Sequence, residues 1–469
     1  MLYLLLTTYY LLFALLAWKR LHWAVLLIIA TLPSYLIRFH LGPIPITLLE
    51  GMILIVVAVW LLRQLRAKGL ELRAFETLRS TLYALRWPLA LFLIAATAAM
   101  FVAPDWRAAA GIWKAYFIEP TIFFLILLDL KLHHPALLDN NKIIRALSVS
   151  ALLLSVYAIC QRLTGFGIPA PWDAELRVTS IFPYPNALGL FLAPLIPLMI
   201  GMLIESRSWK IENRKFYLLL TTYYLLAIIS SIIAIAFAKS TGALVGIGAG
   251  LITMGILWLR QKSCGRTQST VVALGIFATL AALLLIFSLP ARDELLLRDW
   301  SGHVRRTQWS ETIVMLKDHP LLGAGLAGYP ETLKPYHKAT YIEIFQYPHN
   351  IVLNFWSETG LLGLLAFAWL TIIFFRIALL NTRNPSQPPL TLRGGDKTIP
   401  PLKVRGGGGS YELIPIAAMA SMTVLLVHGL VDVPYFKNDL AILFWIVYAL
   451  GVVNNKNSYA TSNQTLQTH

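Results

Sequence analysis

About thirteen apolar runs, each roughly 17–25 residues long, follow one another along this chain. They lie near 2–18, 22–39, 44–62, 88–104, 109–129, 143–161, 181–204, 216–237, 240–259, 269–290, 350–375, 412–431 and 437–454. A helix of that length crosses the hydrocarbon layer of a bilayer, and only helices and closed barrels satisfy their backbone groups there. The runs are continuous rather than alternating, so the expected fold is all-α: a polytopic membrane bundle of about 12–13 spans. Pro33, Pro120, Pro194 and Pro197 fall inside spans, where neighbouring helices re-satisfy the freed backbone.

Composition agrees with that class. Of 469 residues, 57% are hydrophobic and 13% charged, and the mean hydropathy is +0.67. An ordinary soluble domain carries about 25% charged residues. A net charge of +16 in a soluble protein would suggest nucleic acid; in a membrane bundle its placement matters more than its sum, and no nucleic-acid partner is expected. Cys160 and Cys264 are too few and too far apart to suggest a disulfide framework or a metal site. The N-terminus lacks a basic n-region and a small-residue cleavage site, so its first run reads as a retained span.

Basic residues occupy alternate loops. Arg63, Arg66, Lys68, Arg73, Arg79 and Arg86 share one, and Arg207, Lys210, Arg214 and Lys215 another. Arg260, Lys262 and Arg266 follow, then Arg376, Arg383, Arg393, Lys397, Lys403 and Arg405. The positive-inside rule makes that side cytoplasmic. Segments 162–180 and 291–349 are then extracytoplasmic. The second balances seven basic residues (292, 298, 305, 306, 317, 334, 338) against seven acidic ones (293, 294, 299, 311, 318, 331, 343), so its bases do not serve cytoplasmic anchoring. A loop this long with Trp300, Trp309 and several histidines has a function or a fold of its own.

The expected organisation is an N-terminal bundle over 1–290, an extracytoplasmic loop with short helices over 291–349, and C-terminal spans over 350–454. A Pro- and Gly-rich cytoplasmic linker covers 381–411, and 455–469 forms a cytoplasmic tail. The ten-residue string shared by Tyr3–Leu12 and Tyr217–Leu226 has nothing similar flanking it and reads as coincidence in an apolar alphabet.

Pro348-His349-Asn350 opens the run Ile351-Val352-Leu353-Asn354-Phe355-Trp356, which continues to Glu358-Thr359-Gly360-Leu361-Leu362-Gly363. That arrangement predicts His349 on the first turn of a membrane helix. Free N–H groups and the positive end of the helix dipole attract anions there and disfavour imidazolium. A neutral imidazole beside an anion site suits a general base. In the loop, Trp309, Ile313 and Leu316 predict one apolar helical face along the membrane surface, with Arg305 one turn before Trp309. The glycines of Asp318-His319-Pro320-Leu321-Leu322-Gly323-Ala324-Gly325 would let the backbone pass close to a ligand.

The order Arg-x3-Trp, Asp-His-Pro-Leu-Leu-Gly-Ala-Gly, Pro-His-Asn-x2-Leu and Glu-x-Gly-Leu-Leu-Gly resembles the O-antigen ligase and polymerase family of polytopic membrane glycosyltransferases. The segments 177–183 and 185–189 resemble that family's pre-helix loop, and 428–439 its closing pair of spans. The resemblance implies transfer of a polyprenyl-pyrophosphate-linked glycan to an acceptor hydroxyl of a glycan, lipid or protein, on the outer face of the cytoplasmic membrane. It implies no cofactor and no metal, with His349 as the base, Arg305 holding the pyrophosphate and Asn350 beside them. The family's usual second arginine, in a Ser-Arg-Gly-like motif, is Thr241 here, within Lys239-Ser240-Thr241-Gly242. Lys239 is one substitute for it and Arg177 another; altered activity is the third reading. Lysine cannot reproduce the bidentate guanidinium fork.

Two further features remain open. Asp432, Lys437, Asn438 and Asp439 flank a tight outer turn and read as a structural clasp. Glu119-Pro120, inside a span, lines a lipid path or bonds a neighbouring helix. The same donor site would serve an oligosaccharyltransferase acting on protein. A flippase would instead show paired broken helices and midplane charges, whereas the polar residues here gather in one outer loop and at span ends.

Overall fold

A computed structural model describes residues 2–42, 44–66, 72–206, 214–260, 293, 296–382 and 413–453. The expected span 269–290, nearly all of the expected linker 381–411 and the tail 455–469 lie outside the described residues, as do Lys68, Arg207, Lys210, Lys262 and Arg266.

The described chain is a helical bundle. Its N-terminal helices are α1 (Leu2–Lys19), α2 (Leu21–Ala30), α3 (Leu48–Arg66), α4 (Leu72–Val102), α5 (Trp106–Ile112), α6 (Glu119–His133) and α7 (Asn140–Thr164). Next come α8 (Pro185–Leu192), α9 (Leu195–Ser206), α10 (Arg214–Phe237) and α11 (Thr241–Leu259). The loop contributes α12 (Trp300–Asp318) and α13 (Tyr329–Leu333); the closing helices are α14 (Ile351–Asn381), α15 (Leu413–His428) and α16 (Asn438–Val452). Among the described residues, seven helices are long and apolar enough to cross a membrane, and four more apolar helices are shorter.

The expected span over 22–39 ends early. α2 stops at Ala30, a one-turn helix covers Leu32–Leu36 around Pro33, and an antiparallel hairpin pairs β1 (Arg38–Leu41) with β2 (Ile44–Thr47), Arg38 opposite Thr47 and Leu41 opposite Ile44. Pro33 lacks the N–H that would continue α2, and the turn uses Gly42 at φ 61°.

The end of the bundle that carries the C-termini of α6, α14 and α16 is tied by polar contacts. There, Asp129 accepts from Trp60 Nε1 (2.8 Å), Gln64 Nε2 (3.1 Å) and His133 Nδ1 (2.6 Å). There too, Lys131 Nζ donates to Ala449 O at 2.6 Å, and Asn381 Nδ2 donates to Gly451 O and Val452 O, so both side chains satisfy the last carbonyls of α16. Between the ends, α11 lies close on α15 because its glycines leave room. A Cβ at Gly250 would sit 2.8 Å from Ala420 O, and one at Gly246 would sit 3.0 Å from Val424 O. Small residues are the usual means of helix approach in membranes.

α14 is broken where it meets the loop. Gly360 has φ 69°, and Leu361 N donates to Leu321 O (3.0 Å) while Ala324 N donates to Ser357 O (2.6 Å). Glu358, buried, accepts from Ala327 N at 2.7 Å. The glycines of 321–325 therefore accommodate protein backbone rather than a ligand: a Cβ at Gly323 would lie 2.4 Å from Ser357 O, and one at Gly325 2.8 Å from Ala103.

Candidate active site

At the opposite end of the bundle a cavity of about 750 Å³ opens among five chain segments: 171–186, 239–245, 297–305, 343–349 and 427–432. His349, Arg305, Arg177, Lys239 and Thr241 all line it. Three lining residues, Lys239 (φ 50°), Leu297 (φ 53°) and His349 (φ 49°), hold left-handed backbone without being glycine. Such conformations cost on the order of 1–3 kcal/mol each and gather at functional sites.

His349 does not sit on the first turn as the sequence suggests. It precedes the N-cap Asn350, whose Oδ1 accepts from Val352 N and Leu353 N. Asn350 also donates from Nδ2 to Leu430 O at 2.9 Å, and Ile351 N donates to Gly429 O at 2.7 Å. Asn350 is thus a cap and a clip to the turn after α15, and it is not among the cavity-lining residues. From the loop side, Trp309 Nε1 donates to Pro348 O at 2.7 Å and Gln308 Nε2 to Tyr347 O at 3.1 Å. The imidazole packs edge-on against Tyr347 and Phe345, with centroids 4.8 and 5.2 Å away.

The turn after α15 places Asp432, 2% exposed, with Oδ1 3.6 Å from His349 Nδ1. That separation is too long for a hydrogen bond but short enough for strong charge coupling. Burial alone would raise the Asp432 pKa, but the imidazole of His349, with His428 and Arg305 nearby, holds it down at about 2. Asp432 therefore faces the histidine as a carboxylate instead of acting only as the clasp its sequence context suggests. His428 lines the same wall, and Gly242 leaves it room: a Cβ there would lie 2.8 Å from its ring.

Arg305 is half-buried on α12, while Arg306 is exposed. The buried face of α12 is not Trp309-Ile313-Leu316. It runs through Gln308, Glu311, Thr312, Met315 and Leu316, and Ile313 is 46% exposed. Polar residues face inward because the neighbour is loop backbone. Glu311 accepts from Lys338 N (2.8 Å), Ala339 N (3.1 Å) and His337 Nδ1 (2.9 Å). Burial would raise its pKa, but the hydrogen bonds from His337, Lys338 N and Ala339 N hold the carboxyl below the usual range.

Arg177 is largely committed to backbone. Its Nε donates to Ala238 O (2.7 Å) and its Nη2 to Lys239 O (3.3 Å) and Asn186 Oδ1 (3.1 Å), with the guanidinium over Trp172. It caps the carbonyl end of α10 and shapes the turn into α11. Lys239 pairs with Glu175 at 2.9 Å, an exposed contact that lowers the Glu175 pKa. Thr241 is the first residue of α11, whose amino end faces the cavity beside Ser240 and Gly242.

Glu119 lies elsewhere. Lys114 Nζ stands 3.0 Å from Glu50 and 4.0 Å from Glu119, and none of the three lines the cavity. Sequence reasoning also missed Tyr184, whose hydroxyl meets that of Tyr347 at 3.1 Å while Lys437 Nζ lies 3.9 Å from its ring centroid. Its place beside Pro185, before a span, was the available signal.

An α-helical bundle with apolar spans and, at one end, a cavity lined by His349, Arg305, Lys239 and Asp432 defines a multi-pass membrane protein. Residues 226–368 match the family model described as O-antigen ligase, and that match supports an O-antigen ligase-type membrane glycosyltransferase in general terms. No curated protein matches the chain.

Proposed function

We propose that the protein transfers a glycan from a polyprenyl-pyrophosphate carrier to an acceptor hydroxyl at the outer face of the cytoplasmic membrane, without a metal or cofactor. The observation that carries this reading is the meeting, in one cavity, of His349 backed by Asp432 with the cationic side chains of Arg305 and Lys239. Nδ1 faces the carboxylate, so Nε2 is the ring nitrogen left for an acceptor O–H. His349 takes the hydroxyl proton as the acceptor oxygen bonds to the anomeric carbon. The bond from that carbon to the phosphate oxygen breaks, and the polyprenyl pyrophosphate leaves as an anion. Asp432 stabilises the imidazolium that forms. Arg305, with Lys239 and the amino end of α11, neutralises the leaving group. Arg177 holds the Lys239–Thr241 turn in place. Thr241 at the usual arginine position leaves Arg305 as the principal guanidinium.

The test is purified protein in nanodiscs with a polyprenyl-pyrophosphate glycan and acceptor, followed by mass spectrometry of lengthened or transferred product. Wild type is expected to transfer, and His349→Ala to lose transfer while inserting and accumulating normally. Wild-type turnover in the variant would reduce His349 to a structural residue.

A further inference from the structure

The cavity's charged groups leave one wall unexplained. Trp300, the first residue of α12, lines the cavity yet remains 65% exposed. Tyr341, 64% exposed, comes from the other side of the loop. His303 lies between them: its ring is nearly parallel to Tyr341 (13°, centroids 6.3 Å apart), and its centroid is 5.8 Å from Trp300. Its Nε2 meets the Tyr341 hydroxyl at 3.1 Å. The Trp300 and Tyr341 rings stand 6.4 Å apart. Two large aromatic faces are thus held in position by a third ring and remain open to solvent.

Their rim is polar. Glu343 and Gln346 line the cavity, are exposed, and have no hydrogen-bond partner among the described residues. Flat aromatic faces bordered by an uncommitted carboxylate and amide match one ligand chemistry closely. A pyranose presents a face of C–H bonds, slightly positive, to the negative face of an aromatic ring, and a rim of hydroxyls to carboxylates and amides. A lipid headgroup fits less well, because the Tyr341 hydroxyl is turned to His303 and Trp300 shares the cavity with Glu343 and Gln346.

Resting on the glycosyl-transfer reading of this cavity, we infer that Trp300 and Tyr341, joined through His303 at the cavity wall that also carries Glu343 and Gln346, form a saccharide subsite that holds sugar units of a glycan chain beyond the reacting one. The subsite binds sugar by stacking and takes no part in the bond exchange. It sets how long a glycan the enzyme grips, while His349 and Arg305 set whether the bond is made.

Direct binding separates the two claims. The full chain in nanodiscs is titrated with maltohexaose, cellohexaose and chitohexaose, each read by saturation-transfer NMR and by competition for its dissociation constant. At least one is expected to bind, and to contact the protein through ring C–H protons. Trp300→Ala is expected to weaken that binding about tenfold, with Tyr341→Ala in the same direction and Trp300→Phe within about threefold of wild type. His349→Ala is expected to bind as wild type while losing transfer. Absence of binding by all three sugars overturns the subsite, as does binding that neither Trp300→Ala nor Tyr341→Ala weakens. Quenching of Trp300 fluorescence by brominated lipid would assign the rings to the bilayer surface and also overturn it. Should Trp300→Ala fail to fold, Trp300→Phe and Tyr341→Ala still decide. Sugar binding that depends on these rings, in a wild-type protein that transfers nothing, sinks the catalytic reading and leaves the subsite standing.

Discussion

Replacing Asp432 by Asn removes one charge and almost no volume. Asn keeps an oxygen able to accept from Val433 N, the 2.9 Å bond that shapes this turn, so local structure should survive. What is lost is the attraction between a carboxylate and the imidazolium formed when His349 takes the acceptor's proton. At 3.6 Å and an effective dielectric of about 20, that attraction is about 4.6 kcal/mol. His349 faces the cavity with 21% of its side chain exposed, so solvent screens roughly half, leaving about 2.3 kcal/mol. The interaction exists only once the proton has moved, so the loss falls on kcat and not on donor affinity. A decrease of about fiftyfold in kcat is expected, with KM for the lipid donor within about threefold of wild type. Initial rates in nanodiscs, normalised to folded protein by size-exclusion chromatography, measure both. A variant with kcat within threefold of wild type would show that the carboxylate does not act through His349. A loss carried entirely by KM would place Asp432 in donor binding instead.

Arg305→Lys should lose roughly ten- to a hundredfold in kcat/KM, the value of one charge-assisted contact, and exposed Arg306→Lys should lose little; equal, mild losses would remove Arg305 from the site. Trp309→Phe deletes the indole bond to Pro348 O and should lower kcat about two- to tenfold with donor KM unchanged; an unaltered kcat would mean that this bond does not position His349. In a background lacking Cys160 and Cys264, Ser301→Cys should react with a membrane-impermeant maleimide from outside the cell and Lys19→Cys should not. The reverse pattern would place the cavity in the cytoplasm and overturn the proposed donor.

The spans were legible because their signal is local: a membrane helix needs only its own apolar residues, and most helix ends fall within a few positions of the runs. Departures include Pro33, which turned an expected span end into a hairpin, the break in α-helix between α5 and α6 inside the expected span 109–129, and Gly360, where one helix bends around the loop. His349 and Arg305 both line the cavity, but not by the local patterns that drew attention to them: His349 precedes the first turn, and α12 buries a different face from the one its apolar spacing implies. Asp432 was not legible, since its role depends on an approach across more than eighty residues of sequence that no pattern records. The inward face of α12 was misjudged because apolar spacing assumes an apolar neighbour. Here the neighbour is the 337–347 loop, whose N–H and C=O groups select Gln308 and Glu311. The glycines of 321–325 carried a true signal of close backbone approach, but the partner is α14.

The family match and the folded unit are different objects. Residues 226–368 bring Lys239, Thr241, Arg305 and His349, yet the carboxylate facing that histidine, at 432, follows the match, and the guanidinium capping α10, at 177, precedes it. α11 leans on α15 and α14 on α4, both partners supplied from outside the matched stretch. A fragment cut at the boundaries of the match would lack both packing partners and would leave His349 without the Asp432 carboxylate that faces it. Attempts to graft or swap this domain must carry the helices on either side, down to the turn that holds Asp432.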